Sequence, residues 1–320
     1  MKYLTKADFD VARENAAPHV HRTPIFGSET LSELTGAHVH LKAELFQKAG
    51  SYKVRGPLNV LAHMSKEERE RGLICSSAGN HAQGVARAAR EYGVPATVVM
   101  AHGAPEAKIQ ATQSYGAEVV LHGEVWDDAY RHSLELQRER NLTYVHPFDN
   151  PLLVAGQGGV GYETIEDLPD LDLIIVPIGG GGLISGISQI VKLIKPDVTV
   201  IGVEMALAPA MKRSIEAGHR VTLDEIPVVI DGLTVKTVGE YTFEICKAFV
   251  DDIVTVDEQK IFDAIPWIME RCKLVAEGAA AATVAALLTE AVRPEPGSRV
   301  ACVLSGGNLN LGALKGMTWN

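Results

Sequence analysis

The chain has 320 residues, 46% of them hydrophobic and 22% charged, with a formal net charge of −10. That length holds two domains or one large α/β unit with a sizeable core. The negative field repels nucleic acid and anionic membranes, so neither is expected as a partner, although a local basic pocket for phosphate or carboxylate is compatible with it.

The first residues carry no apolar core of signal-peptide type, and the longest apolar run, over 173–184, is broken by Pro177 and four glycines. Four scattered cysteines, Cys75, Cys246, Cys272 and Cys302, form no Cys-x-x-Cys pair and are expected to be buried, reduced thiols of a cytoplasmic protein. His19/His21 and His38/His40 have a spacing that could clip a metal on a strand. No third ligand is in view, so they read as surface histidines.

In chain order, a strand is expected over 38–44 and a helix over 54–64, with Lys53 between them. Beyond them, helices over 84–92, 107–114, 127–140 and 152–167 alternate with strands over 97–100 and Glu118–Leu121. The strand Leu173–Pro177, a helix over 183–194, a strand over 198–203, a helix over 278–289 and the strand Arg299–Leu304 complete the pattern. Continuous apolar strands joined by helices imply parallel sheets covered on both faces. The segment 66–148 reads as a small α/β unit inserted into a larger one made of 1–65 and 149–320.

Lys53 stands in the run Gly50-Ser51-Tyr52-Lys53-Val54-Arg55-Gly56. Alone it would be a surface lysine at a helix N-terminus. Other segments change that reading. Gly179, Gly180, Gly181 and Gly182 lie between the strand Leu173–Pro177 and the helix that begins at Leu183. Without Cβ atoms, backbone N–H groups there can converge on phosphate oxygens, and the helix dipole adds favourable potential. No Lys-Ser/Thr follows, so this is not a nucleotide P-loop, and the run does not fit the G-x-G-x-x-G fingerprint. A merely tight turn would need only one or two glycines. A lysine combined with a distant phosphate cradle suggests a Schiff-base enzyme that holds a phosphorylated aldehyde.

Ser76-Ser77-Ala78-Gly79-Asn80-His81 also joins a strand to a helix. Its N–H groups can bind a substrate carboxylate, and Asn80 can offer an amide to a ring hydroxyl. Taken alone, it would be an N-cap serine in a polar turn. Leu304-Ser305-Gly306-Gly307-Asn308 ends the last strand. Ser305 there points into the crevice where open α/β sheets bind ligands, unless the segment is only an ST-type turn.

Together these segments resemble the threonine dehydratase and serine racemase group of fold-type II pyridoxal-phosphate enzymes, from Arg22-Thr23-Pro24 through Ser305-Gly306-Gly307-Asn308. The resemblance implies two parallel-rich twisted sheets flanked by helices, with pyridoxal 5'-phosphate between a large and a small domain. It implies that Lys53 is the Schiff-base lysine and that Gly179, Gly180, Gly181, Gly182 and Leu183 cradle the phosphate. Asn80 would bond the ring hydroxyl and Ser305 the ring nitrogen. Tyr52, where the family usually has Phe, would pack beside the cofactor, with Gly232 and Glu277 near the ring. Ser77, Ala78, Gly79, Asn80 and His81 would take the substrate carboxylate. The resemblance also implies a homodimer or homotetramer.

Departures narrow the reaction. Racemase members carry a second serine where this chain has Ala78, which removes the second base and favours dehydration. The cation-site positions are Glu204, Ala208 and Ala210, and the alanine at the last of these argues against divalent-metal activation. The chain stops soon after Asn308, so feedback through a C-terminal regulatory domain is not expected. The expected reaction is dehydration and deamination of a small β-hydroxy amino acid, L-threonine with some L-serine. The alternatives are an ammonia-lyase for 3-hydroxyaspartate or a hydroxyectoine-derived compound, a serine racemase, a β-replacement synthase and a non-catalytic sensor. Tyr52, Lys48 and Pro57 sit in a stretch where the family is plainer, so side-chain selectivity can differ.

Overall fold

A computed structural model describes residues 2–224, 226, 227 and 230–310. Among the described residues ten strands form, most of them where the sequence is largely apolar. They are β1 (Ile25–Gly27), β2 (His38–Ala43), β3 (Leu73–Ser76), β4 (Ala96–Met100), β5 (Glu118–Leu121), β6 (Thr143–Tyr144), β7 (Leu173–Pro177), β8 (Thr199–Met205), β9 (Asp252–Val256) and β10 (Arg299–Leu304).

They make a six-stranded sheet of order β1-β2-β10-β7-β8-β9 and a four-stranded sheet of order β5-β4-β3-β6. Within the described residues all pairings are parallel except β1 with β2. The chain leaves the large sheet after β2, builds the small one and returns at β7. Its last strand then pairs with β2 over His38 to Ala43, which aligns Leu304 with Ala43. Lys53 and Ser305 therefore both follow strands that end side by side.

Burial on both faces explains the near-absence of alternation. Ile174, Ile175, Val300 and Val303 are fully buried, each contributing about 1.5–3 kcal/mol. The helix Gly278–Leu288 is buried from Ala279 to Leu287, and its run of alanines lets it lie close against the large sheet. The small sheet's core takes in Val54, Leu58, Leu61 and Leu153, which lie outside 66–148. No helix among the described residues is long and apolar enough to cross a membrane.

The helix expected over 152–167 is instead two, Pro151–Gln157 and Gly159–Asp167, meeting at Gly158. The junction lies at a close crossing with the helix Gly182–Ile194, where a Cβ on Gly186 would lie 2.6 Å from the Gly158 nitrogen. The helix expected over 84–92 begins four residues earlier, at Asn80, which places Asn80 and His81 in its first turn. Cys75, Cys246 and Cys302 are buried, but Cys272 is only half-buried, because it ends a helix near Ser28.

Candidate active site

Ala49 and Gly50 both take left-handed backbone angles, with φ of 63° and 69°. The chain reverses there and enters a one-turn 3-10 helix, Tyr52–Val54. Two backbone bonds tie this turn to the end of β10: Tyr52 N–H to the Ser305 carbonyl at 3.1 Å, and Gly307 N–H to the Gly50 carbonyl at 2.9 Å. Gly84 completes the fit, since a Cβ there would lie 2.6 Å from the Lys53 carbonyl oxygen.

Lys53 Nζ donates to the Pro147 carbonyl at 2.9 Å. Burial pulls its ammonium down to about 8, against the opposing charge of Glu277. An amine that deprotonates this near neutrality can condense with a carbonyl or take a proton from carbon. Tyr52 packs beside it, with Nζ 5.2 Å from the ring centroid, and burial pushes its phenol up, so it stays protonated.

A buried charge cluster anchors the turn from below. Arg55 donates to Glu44 Oε1 and Oε2 at 2.8 Å each, and to Glu163 at 2.7 and 3.0 Å. Lys42 Nζ donates to Glu163 at 2.7 Å and to the Thr23 carbonyl at 2.8 Å. Two positive and two negative charges thus balance inside the protein, two residues from Lys53.

The four glycines after β7 form a cradle that no larger residue could line. A Cβ on Gly179 would strike the Gly232 carbonyl, and one on Gly180 the Phe148 ring. One on Gly181, where φ is +93°, would lie 2.7 Å from Met211 Cε. Among the described residues, the N–H groups of Gly179 through Leu183 donate to no protein acceptor. They open the 13-residue helix Gly182–Ile194, whose N-terminal field favours an anion. Thr242 Oγ1 donates to the Gly180 carbonyl at 2.7 Å. Asp149 holds Thr242 in place by accepting from the N–H groups of Glu240, Tyr241 and Thr242.

Asn80 lies between two partners. Its Nδ2 donates to Glu277 Oε1 at 2.5 Å, and its Oδ1 accepts from Asn308 Nδ2 at 2.8 Å. Burial raises the Glu277 carboxyl to about 7, and the Asn80 bond partly offsets this. Glu277 N–H also donates to the Gly306 carbonyl at 3.1 Å, beside the buried Ser305 at the end of β10. Gly232, at φ +87°, sits next to Asp231, which pairs with Lys108 from the small-sheet side.

In the Ser77 loop, Ser77 Oγ accepts from Gly79 N–H at 3.1 Å. The N–H groups of Ala78, Asn80 and His81 have no protein acceptor among the described residues. The His81 side chain turns away from the loop's free N–H groups. Its ring is buried, Nε2 lies 2.9 Å from the Val145 carbonyl, and burial pulls it down to about 3. It is neutral and bonded toward the small sheet, which leaves its backbone N–H as the group on the loop side. Glu204 is also buried, and its carboxylate accepts from the N–H groups of Met211 and Lys212 at 2.8 Å each.

Sequence reasoning missed Asn308, Pro147, Phe148 and Thr242. Asn308 stood inside a noted motif without a role. The others carry no local signal, because they act through contacts across the chain.

The pyridoxal-phosphate dependent enzyme family matches residues 16–306. An L-threonine ammonia-lyase of Thermotoga maritima is 46% identical over 308 residues, which span 96% of this chain and 76% of that protein. Maize serine racemase superposes with a TM-score of 0.94 at 33% identity, covering 98% of this chain and 96% of that one. Threonine deaminase isoform 2 of Solanum lycopersicum superposes with a TM-score of 0.91 at 34% identity, covering 98% and 93%. The family match over residues 16–306, together with a relative 46% identical over nearly the whole chain, places this protein in the pyridoxal-phosphate dependent enzyme family.

Proposed function

We propose that the chain is a pyridoxal 5'-phosphate-dependent ammonia-lyase that converts L-threonine to 2-oxobutanoate and ammonia, with L-serine as a second substrate. The observation that carries this reading is one buried amine, Lys53 Nζ, whose proton affinity burial lowers to about 8, combined with Ala78 in place of a second base.

The residues fit the cofactor. The free N–H groups of Gly179 through Leu183 suit its phosphate, and the glycine cradle excludes any Cβ from that space. Asn80 Nδ2 keeps one hydrogen for the ring hydroxyl after bonding Glu277. The Ser305 hydroxyl would meet the ring nitrogen, Tyr52 would pack on the ring, and Gly232 and Glu277 would border it. When bound, the cofactor supplies an electron sink for negative charge at the substrate Cα.

The protein supplies the rest. Lys53 would hold the cofactor, be displaced by the substrate amine, and then take the Cα proton. The backbone N–H groups of Ala78, Asn80 and His81, with Ser77 and Gly79, would fix the substrate carboxylate. Ala78 offers no proton on the opposite face, so the Cα proton would stay on Lys53 Nζ, which would then give it to the departing β-hydroxyl so that it leaves as water. Ser305, as a neutral partner, would not hold a positive charge on the ring nitrogen, which would further favour elimination over transamination. Hydrolysis of the dehydrated product then gives the 2-oxo acid and ammonia.

The test is purified protein with β-hydroxy amino acids of both hands and 2-oxo acid release as readout. L-threonine should lead, and Lys53→Ala should abolish release. Full 2-oxobutanoate production by that variant would remove the lysine assignment. The likeness to maize serine racemase supports a second reading, racemisation. Conversion of L-serine to D-serine faster than to pyruvate would favour it.

We read residues 1–65 and 149–320 as the large unit and 66–148 as the small one, with the helix Arg55–His63 as their shared wall. A second copy of the chain suits the exposed aromatic pair Phe26 and Phe46, whose ring centroids lie 6.1 Å apart at the edge strand β1. The free cysteines suit a cytoplasmic location.

A further inference from the structure

We propose that Asn308 is a positioning residue: its amide sets the direction in which the Asn80 side chain meets Glu277, and it pins the turn that carries Lys53. The proposal rests on the reading of this crevice as the cofactor site, and it concerns a residue that the reading does not itself use.

The geometry is a chain of polarity. Asn308 Nδ2 donates to the Ala49 carbonyl at 2.8 Å and to Asn80 Oδ1 at 2.8 Å. A backbone carbonyl can only accept, so Ala49 fixes which end of the Asn308 amide faces inward. Asn308 then presents a donor to Asn80, which turns its oxygen toward Asn308 and its nitrogen toward Glu277. A half-turn of the Asn80 amide would set donor against donor at Asn308 and oxygen against carboxylate at Glu277. Both bonds would be lost together, so the wild-type chain holds one orientation.

Packing supports the second half of the proposal. The Asn308 amide fills the space a Cβ on Gly50 would need, with its Cγ 2.9 Å from that position. Ala49 and Gly50 are both left-handed, and for Ala49 that conformation carries strain. The bond to the Ala49 carbonyl helps to hold this reversal three residues before Tyr52.

The consequence appears at Glu277. The charged groups that face it are Lys53 from the lysine turn, Lys108 from the helix Glu106–Ser114, and Asp231 from the loop before that residue's neighbour Gly232. Burial raises its proton affinity most, and Asp231 adds to this. The Asn80 bond lowers it, as do Lys108 and Lys53. Releasing Asn80 removes the lowering hydrogen bond, so Glu277 should keep its proton to higher pH.

The experiment compares the wild-type holoenzyme with Asn308→Asp and Asn308→Ala. Asn308→Asp keeps the shape but puts an anion against the Ala49 carbonyl and Asn80 Oδ1. Three readouts are taken: bound-cofactor absorbance against pH, kcat/KM against pH, and melting temperature. Both variants should shift the absorbance transition and the matching kcat/KM limb to higher pH, and kcat/KM should fall roughly tenfold or more. Wild-type pH dependence in both variants, with only a lower melting temperature, would overturn the proposal. Failure of the wild-type protein to release any 2-oxo acid would count against the proposed function alone, because the absorbance titration still reads the Asn308 effect.

Discussion

Replacing Glu163 with Gln tests whether the buried charge cluster supports the lysine turn. Glu163 takes three hydrogen bonds, from Lys42 at 2.7 Å and from Arg55 at 2.7 and 3.0 Å. The side chains of Lys42, Arg55 and Glu44 are 0%, 2% and 0% exposed. With Glu163 neutral, two cations share the single charge of Glu44, and an amide N–H faces a guanidinium or an ammonium. Breaking a buried pair in this way costs about 3–5 kcal/mol. At roughly 2 °C per kcal/mol for a chain this long, the melting temperature should fall by about 6–10 °C.

The pH dependence adds a second check. Burial pushes the Glu163 carboxyl up, but the charges and hydrogen bonds of Arg55 and Lys42 outweigh it, and the net direction is down. Its stabilisation is therefore in place above the unfolded carboxylate value of about 4.3 and is lost as pH falls through the lower folded value. Glu163→Gln should lack that portion of acid sensitivity. Thermal unfolding by circular dichroism between pH 7 and pH 3 measures both effects. The double variant Lys42→Met/Glu163→Leu removes one charge of each sign and should be less destabilised than Glu163→Gln alone. A Glu163→Gln protein melting within about 2 °C of wild type, with unchanged acid sensitivity, would refute the charge-balance reasoning.

Two further outcomes are expected. In the cofactor-free protein, Lys53 should be acylated with a pH midpoint near 8, since burial disfavours its ammonium; mass spectrometry of the modified peptide reads this, and a midpoint near that of an exposed lysine, about 10.4, would contradict it. Gly181→Ala should weaken cofactor binding at least roughly tenfold in a fluorescence titration, because Gly181 has φ +93° and a Cβ there would press on Met211 and Thr242. Wild-type affinity in that variant would mean that the cradle can relax.

The strands Leu173–Pro177 and Arg299–Leu304 were legible to the residue, because burial on both faces demands unbroken apolar runs, and the edge strand Glu118–Leu121, which is only partly buried, was legible from its short β-branched run after Gly116. Other elements were not. Ile25–Gly27 and Thr143–Tyr144 are too short to show a period, and they exist only because β2 and β3 offer them partners. The helix Glu258–Cys272 contains Pro266, which locally argues against it, and tertiary packing of Ile261, Ala264, Ile265 and Ile268 overrides that.

Within the site, the same division holds. Lys53, the four glycines, Asn80 and Ser305 stand out in the sequence as candidates, since each lies in a segment that follows a strand and whose residue types suit one local task. What those residues do to one another does not. Asn80 meets Glu277 197 positions away and Asn308 228 positions away. The His81 ring turned inward to Val145, and the proton affinities of Lys53 and Glu277 follow from burial. Local sequence determines which groups a turn can present. Only the folded chain decides which of them lose water, which find a partner and which way an amide points, because those depend on neighbours that the sequence keeps far apart.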